Sequence, residues 1–159
     1  MGKKETKTNA IRILETMKIP YEARTYECDD FVDAAQIADK LGLDHAGMYK
    51  TITTVGKSGG YYVFVVPIDD EIDFKKAAKA AGEKSIEMLH LKDLTKVTGY
   101  IRGGCTSIGM KKQYPTVIQE CAAQFDKVYV SGGRIGTTLC MAPEDLKKVS
   151  RAEYADFIQ

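Results

Sequence analysis

Apolar residues return along this chain in two rhythms, and the switches between them mark out its elements. Between residues 8 and 18, Ile11, Leu14 and Met17 recur at helical spacing behind Thr8 or Asn9 as a cap, and Pro20 closes the run. A first amphipathic helix with those three residues inside is predicted. Residues 21–26 alternate as a strand does, and Cys28, Asp29, Asp30 and Phe31 follow as a loop. Asp33 and Gln36 stand at capping-box spacing, and Ala34, Ala35, Ile37, Ala38 and Leu41 fill a second helix that Gly42 stops. The strand pattern is clearest from residue 48 to Val55. It turns over residues 56–60, rich in glycine, and returns as 61–66 before Pro67, which predicts a hairpin.

Asp73 caps a third predicted helix with Phe74, Ala77, Ala78 and Ala81 on one face, Lys75, Lys76 and Lys79 on the other, and Gly82 at its end. Residues 84–88 predict a short strand and 91–97 a short helix. Strands are expected at 116–118, 127–131 and 138–141, and helices at 143–149 and 152–158. Hairpins mix with helices without regular βαβ alternation, internal repeat or low-complexity linker. The expected fold is therefore α+β, one compact domain over 1–159 with residues 1–7 as a flexible basic arm.

Composition narrows the function classes. At 159 residues and 44% apolar content the chain can bury a core without metal or disulfide staples. A net charge of +1 provides no global field for nucleic acid or a membrane surface, so any polyanion must meet a local patch. Cys28, Cys105, Cys121 and Cys140 are far apart, lack paired metal spacing, and share the chain with only His45 and His90. No metal site is expected. A reducing compartment, hence the cytoplasm, is expected, since no apolar run has the length of a membrane span or a signal peptide.

Candidate chemistry begins at Lys50, an amine set among tyrosine, threonine and β-branched residues. Lysines seldom lie inside a core without a partner. Two glycine clusters, at 99–104 and 132–133, could bring backbone N–H groups close to a polar or anionic ligand; the alternative is a snorkelling lysine beside two ordinary turns. The first cluster lacks the dinucleotide fingerprint and the P-loop ending, so no nucleotide cofactor is expected. It could instead hold a carbonyl oxygen as negative charge develops there. Cys105 has no evident base and reads by default as a packed thiol, and Ser131 is not in a hydrolase elbow.

Together Tyr49-Lys50-Thr51, the helix start Asp73-Phe74-Lys75-Lys76, Thr98-Gly99-Tyr100 with Gly103-Gly104, Gly109 with Lys111-Lys112, and Tyr129-Val130-Ser131-Gly132-Gly133 resemble the YbaK/EbsC-type aminoacyl-tRNA deacylases. Those are relatives of the editing insertion domain of prolyl-tRNA synthetase. The motifs fall in the family order across about residues 8–158. The resemblance implies a mixed, mostly antiparallel, partly barrel-like sheet surrounded by helices, and the removal of wrong amino acids from tRNA without a cofactor. It implies cysteine mischarged on tRNA for proline as substrate, with alanine on the same tRNA, or a non-catalytic tRNA- or synthetase-binding module, as alternatives. The expected route has the cysteine thiol attack its own ester.

By the same resemblance, Lys50 anchors the terminal nucleotide and ester, and the loop of Gly103, Gly104, Cys105, Thr106 and Ser107 polarises the ester carbonyl. Tyr26, Phe31, Thr51, Tyr100 and Ser131 line the pocket with Gly132 and Gly133. Lys75, Lys76, Lys79, Lys111 and Lys112 hold the tRNA body, and prolyl-tRNA synthetase is an expected partner. The chain departs from the family in carrying Ser107 where a loop proline is usual, and in lacking an acidic residue around Thr137 and Thr138 after the second glycine cluster.

Overall fold

Caps decide where the helices begin and end in the computed structural model of the protein, which describes residues 7–27 and 33–159. Thr8 accepts a hydrogen bond from the Ile11 N–H (3.2 Å) and opens α1, Asn9–Thr16. After β1, Glu22–Thr25, the capping box forms as expected. The Asp33 carboxylate accepts from the Gln36 N–H, the Gln36 side chain accepts from the Asp33 N–H, and α2, Ala34–Leu41, runs on to Gly42 at φ 67°. The hairpin follows as β2, Tyr49–Gly56, and β3, Tyr61–Pro67, with Lys50 opposite Val66. Asp73 accepts from the N–H groups of Lys75 and Lys76 and opens α3, Phe74–Ala81. The chain continues as β4, Ile86–Met88; α4, Leu94–Thr98; β5, Thr116–Gln119; β6, Val128–Ser131; β7, Thr137–Met141; α5, Pro143–Ser150; and β8, Ala152–Ala155.

The strands form two sheets. One is antiparallel, in the order β1-β7-β6; the other is mixed, in the order β4-β2-β3-β5-β8, with β5 parallel to both β3 and β8. Among the described residues a single bridge, between Met48 and Tyr129, joins them, and the barrel they form is partial. Because β3 lies inside the larger sheet, Val63, Phe64, Val65 and Val66 are all fully buried. Val65 faces a core shared with α1, α5, β6 and β7, whereas Phe64 and Val66 face a second core under α3.

Three expectations are corrected. Residues 152–158 are not a helix: Arg151 takes a left-handed conformation (φ 52°) after α5, and β8 pairs in parallel with β5. A seven-residue segment with apolar side chains at 152, 154, 155, 157 and 158 is readable as either element, and here the open edge of β5 decides. Phe157 is thereby driven under Phe64, ring to ring at 4.9 Å, and its N–H donates to the Gln119 side chain (2.9 Å). Residues 91–97 divide into a 3-10 turn, Leu91–Asp93, and α4. Met17 lies past the end of α1 and is 42% exposed instead of packed. Lys7 pairs with Glu15 at 2.5 Å; residues 1–6, and the loop holding Cys28 and Phe31, lie outside the described residues. No helix among the described residues is long and apolar enough to cross a membrane.

Candidate active site

A cavity of about 570 Å³ lies along one edge of β2. Residues 48–53 line it without a gap, which a strand can do only when the hollow runs along its edge, because its side chains alternate between faces. Hydrogen-bond parity explains why that edge is open. Met48 O accepts from the Ile68 N–H (3.0 Å) and Gly56 N–H donates to Gly60 O (2.8 Å), so even-numbered residues of β2 bond to β3. Odd-numbered residues point the other way, toward β4, whose side of the ladder ends at the Leu89 N–H donating to Thr53 O (3.2 Å). Between that bond and the bridge at Met48, the backbone of Thr51 faces the cavity unpaired by any strand among the described residues.

The remaining walls come from distant parts of the chain. Tyr26, Asp33, Ala34 and Ile37 stand on one side, Met88, Leu89, Leu91 and Leu94 on another, and Gly103 and Cys105 face Val130, Ser131, Thr137 and Thr138. Lys50 is half-buried, its Nζ 3.4 Å from the Ile68 carbonyl. Arg102 and Gly103 form the centre of a tight turn closed by the Gly104 N–H donating to Ile101 O (2.9 Å), and Gly103 has the positive φ (87°) that a type II turn requires. Gly104 serves close approach instead. A Cβ there would stand 2.8 Å from the Cα of Arg134, so the two glycine clusters touch backbone to backbone.

The start of α1 clamps both clusters. Thr8 Oγ1 donates to the Gly132 carbonyl (2.6 Å) and Asn9 Nδ2 to the Gly109 carbonyl (2.9 Å). Burial pushes the Cys105 thiol up to about 11, so it stays protonated near neutral pH and is a poor nucleophile. Neither histidine lines the cavity. His45 sits between Asp39 (3.1 Å) and Asp69 (3.2 Å), which raise its pKa, with the Asp39 hydrogen bond the larger cause. No group of three or more His, Cys, Asp or Glu suited to a metal occurs among the described residues.

Of the residues singled out in the sequence, Lys50, Gly103, Tyr26, Thr51, Cys105 and Ser131 meet at this cavity. Six others do not line it. Gly104 spends its N–H in the turn, and Tyr100 is buried, donating to Ile108 O (2.6 Å) as a brace across the loop. Thr106 is buried behind the loop, and Ser107 faces away to a hydrogen bond with Ser150 (2.7 Å). Gly132 packs on Thr137 and Gly133 on Thr8 and Tyr100. Phe31 lies outside the described residues. Lys75, Lys76 and Lys79 lie on α3, where Lys76 holds Asp156 (3.1 Å) and the Ile158 carbonyl (2.9 Å). Lys111 and Lys112 instead line a second hollow of about 340 Å³ with Lys148 and Arg151. Sequence reasoning missed Thr53, Ile37, Leu89 and Leu94; only Thr53 had a signal, its place in the same strand as Lys50.

Known proteins share this architecture. The family profile for the aminoacyl-tRNA editing domain matches residues 28–149. EbsC of Enterococcus faecalis, a proposed Cys-tRNA(Pro)/Cys-tRNA(Cys) deacylase, is 45% identical over 159 residues, covering 98% of this chain and 97% of EbsC. The crystal structure of a proposed trans-editing enzyme for prolyl-tRNA synthetase superposes with a TM-score of 0.84 at 21% identity, over 98% of this chain and 99% of that one. A hypothetical protein of known structure gives 0.86 at 21% identity, over 95% of this chain and 99% of its own, so the fold is common to all three. On the length of the profile match and the identity to EbsC, this chain belongs to the aminoacyl-tRNA editing domain family.

Proposed function

We propose that this protein deacylates tRNA charged with the wrong amino acid, and that its substrate is cysteine esterified to tRNA for proline. The observation that carries this is the meeting of Lys50 and the turn at 103–105 across one cavity that supplies no activated nucleophile. Its lining carboxylate, Asp33, is occupied as the cap of α2. An ester is already reactive, so placement and a partner for the developing oxyanion suffice. The Lys50 ammonium anchors the terminal nucleotide. The N–H groups of Gly103 and Cys105, which no hydrogen bond among the described residues uses, are the donors for the carbonyl oxygen. The substrate thiol forms the new bond, sulfur to ester carbon. Its proton passes to the ribose oxygen as the carbon–oxygen bond breaks, releasing tRNA and a cyclic thioester that water opens to cysteine.

The tRNA body is held by local cations in place of a global field: Lys111 and Lys112, joined by Lys148 and Arg151 around the second hollow, and the lysines of α3. Binding that rests on phosphate contacts falls steeply with salt. The whole of 1–159 acts as one editing domain in the cytoplasm, and prolyl-tRNA synthetase is the partner that delivers the mischarged tRNA.

Purified protein incubated with cysteinyl-, seryl- and alanyl-tRNA(Pro) tests this. Cysteinyl-tRNA is expected to be cleared and seryl-tRNA far more slowly, because a hydroxyl is a weaker nucleophile near neutral pH. Cys105→Ala keeps turnover, since only its backbone N–H takes part. Hydrolysis of neither cysteinyl- nor alanyl-tRNA would overturn the enzymatic assignment. A dead Cys105→Ala variant, or equal rates on the cysteinyl and seryl esters, would overturn the route.

A further inference from the structure

We infer that the open edge of β2 at Thr51 and Thr53 is a subsite that reads the side chain of the aminoacyl group, and that its ligand is a small neutral hydrogen-bonding group, a thiol or a hydroxyl. The inference rests on the deacylase assignment for the identity of the ester. The subsite itself follows from the polar atoms that the fold leaves without partners.

Thr53 is only 5% exposed and lines the cavity, yet its Oγ1 is a buried side-chain oxygen with no hydrogen-bond partner among the described residues. Its neighbours show how the fold ordinarily treats such groups. Thr54 Oγ1 donates to the Tyr62 carbonyl (2.9 Å), Thr98 Oγ1 to the Leu94 carbonyl (2.8 Å), and Ser107 bonds Ser150. Burying a hydroxyl unpaired costs stability, and orphaned polar atoms of this kind are rare in folded proteins. Two residues back on the same face, the Thr51 backbone points outward by the parity of the ladder and meets no strand. An unpaired side-chain oxygen and an unpaired length of strand edge therefore stand side by side on one wall.

Burial selects the ligand. Lys50 lies on the opposite face of β2, three residues from Thr53, and Arg102, the other cation that lines the cavity, is carried by the turn at 101–104. Burial raises the Cys105 thiol and keeps it neutral, against weak hydrogen-bonding contacts from Thr98 and then Thr53 that lower it; the contact with Thr53 falls short of full hydrogen-bond geometry and leaves its Oγ1 without a proper partner. An ionised group placed against the buried Thr53 would give up hydration that a small neutral group does not have to replace. A thiol or hydroxyl satisfies Thr53 as donor or acceptor at no such cost. A methyl group fits the same space and leaves Thr53 orphaned, so alanine is disfavoured by an interaction withheld, the stronger direction of discrimination.

Unreactive amide-linked cysteinyl-, seryl- and alanyl-adenosine separate binding from turnover. The wild-type protein is expected to bind the first two roughly tenfold more tightly than the third. Thr53→Val, which removes the hydroxyl and keeps the shape, is expected to bind all three alike and to unfold at the same temperature or higher. Thr53→Ser is expected to restore the preference. Equal dissociation constants in the wild-type protein, no binding of any of the three, or a preference that survives Thr53→Val would overturn the subsite. Turnover of cysteinyl-tRNA is measured in parallel. Turnover without a binding preference removes the subsite and leaves the deacylase; a preference without turnover does the reverse.

Discussion

Replacing Gly104 with alanine tests the contact that sets the width of the cavity. The new Cβ would stand 2.8 Å from Arg134 Cα, 3.0 Å from its carbonyl carbon and 3.2 Å from its nitrogen. Carbon atoms come to rest at about 3.5 Å or more, so one loop must retreat by about 0.7 Å. All three atoms are backbone, and no rotamer change relieves them. Overpacking of this kind costs about 1–3 kcal/mol, and in a domain of this size each kcal/mol lowers the melting temperature by about 2–4 °C. The effect on rate should be larger in proportion. Gly103 and Cys105 lie on one side of this contact, Ser131 and Thr137 on the other, and a displacement near 1 Å can cost about a hundredfold when reacting groups lose alignment. Calorimetry together with deacylation of cysteinyl-tRNA reads both numbers. Gly103→Ala is the contrast: it strains a positive φ of 87° at the centre of the turn, a backbone cost instead of a steric one. A Gly104→Ala protein with wild-type melting temperature and rate would refute the idea that the two glycine clusters form one rigid wall.

Lys50→Ala is expected to lose at least about tenfold in turnover while stability stays within about 0.5 kcal/mol, since among the described residues the half-buried amine makes one long bond, to Ile68 O; unchanged turnover would make the lysine structural. Phe157→Ala removes a fully buried ring from the face of Phe64 and should cost about 3–5 kcal/mol in chemical denaturation, a loss that a surface-lying C-terminus would not show. His45 is held protonated by Asp39 and Asp69, so its contribution to stability is present below the ordinary histidine range of about 6.5 and is lost as pH rises through its higher folded pKa. NMR titration should place that pKa above the ordinary value and Asp69→Asn should lower it; a histidine titrating normally would remove the effect. Cys105 works in the alkaline range: with a folded pKa of about 11 against an ordinary thiol near about 8.5, stability should fall as pH rises between those values, and Cys105→Ala should flatten that limb of a pH-denaturation curve.

What the sequence determined by itself is whatever is settled within a few residues. Thr8, the Asp33 and Gln36 pair, and Asp73 start helices because each carries an oxygen within reach of N–H groups two or three positions ahead. The hairpin of β2 and β3 follows from alternation on both sides of a glycine-rich turn. Lys50 and Gly103 could be named as partners in one site because residue type and motif order pointed to the family. Tertiary structure decided the rest. Residues 152–155 became a strand because β5 offered an unpaired edge, and Ser107 left the expected pocket because Ser150 stood behind it. Thr53 shows the reason most plainly. A threonine in a strand reads the same whether or not its hydroxyl finds a partner; that depends on which atoms a distant loop brings beside it, and no local pattern encodes such a placement.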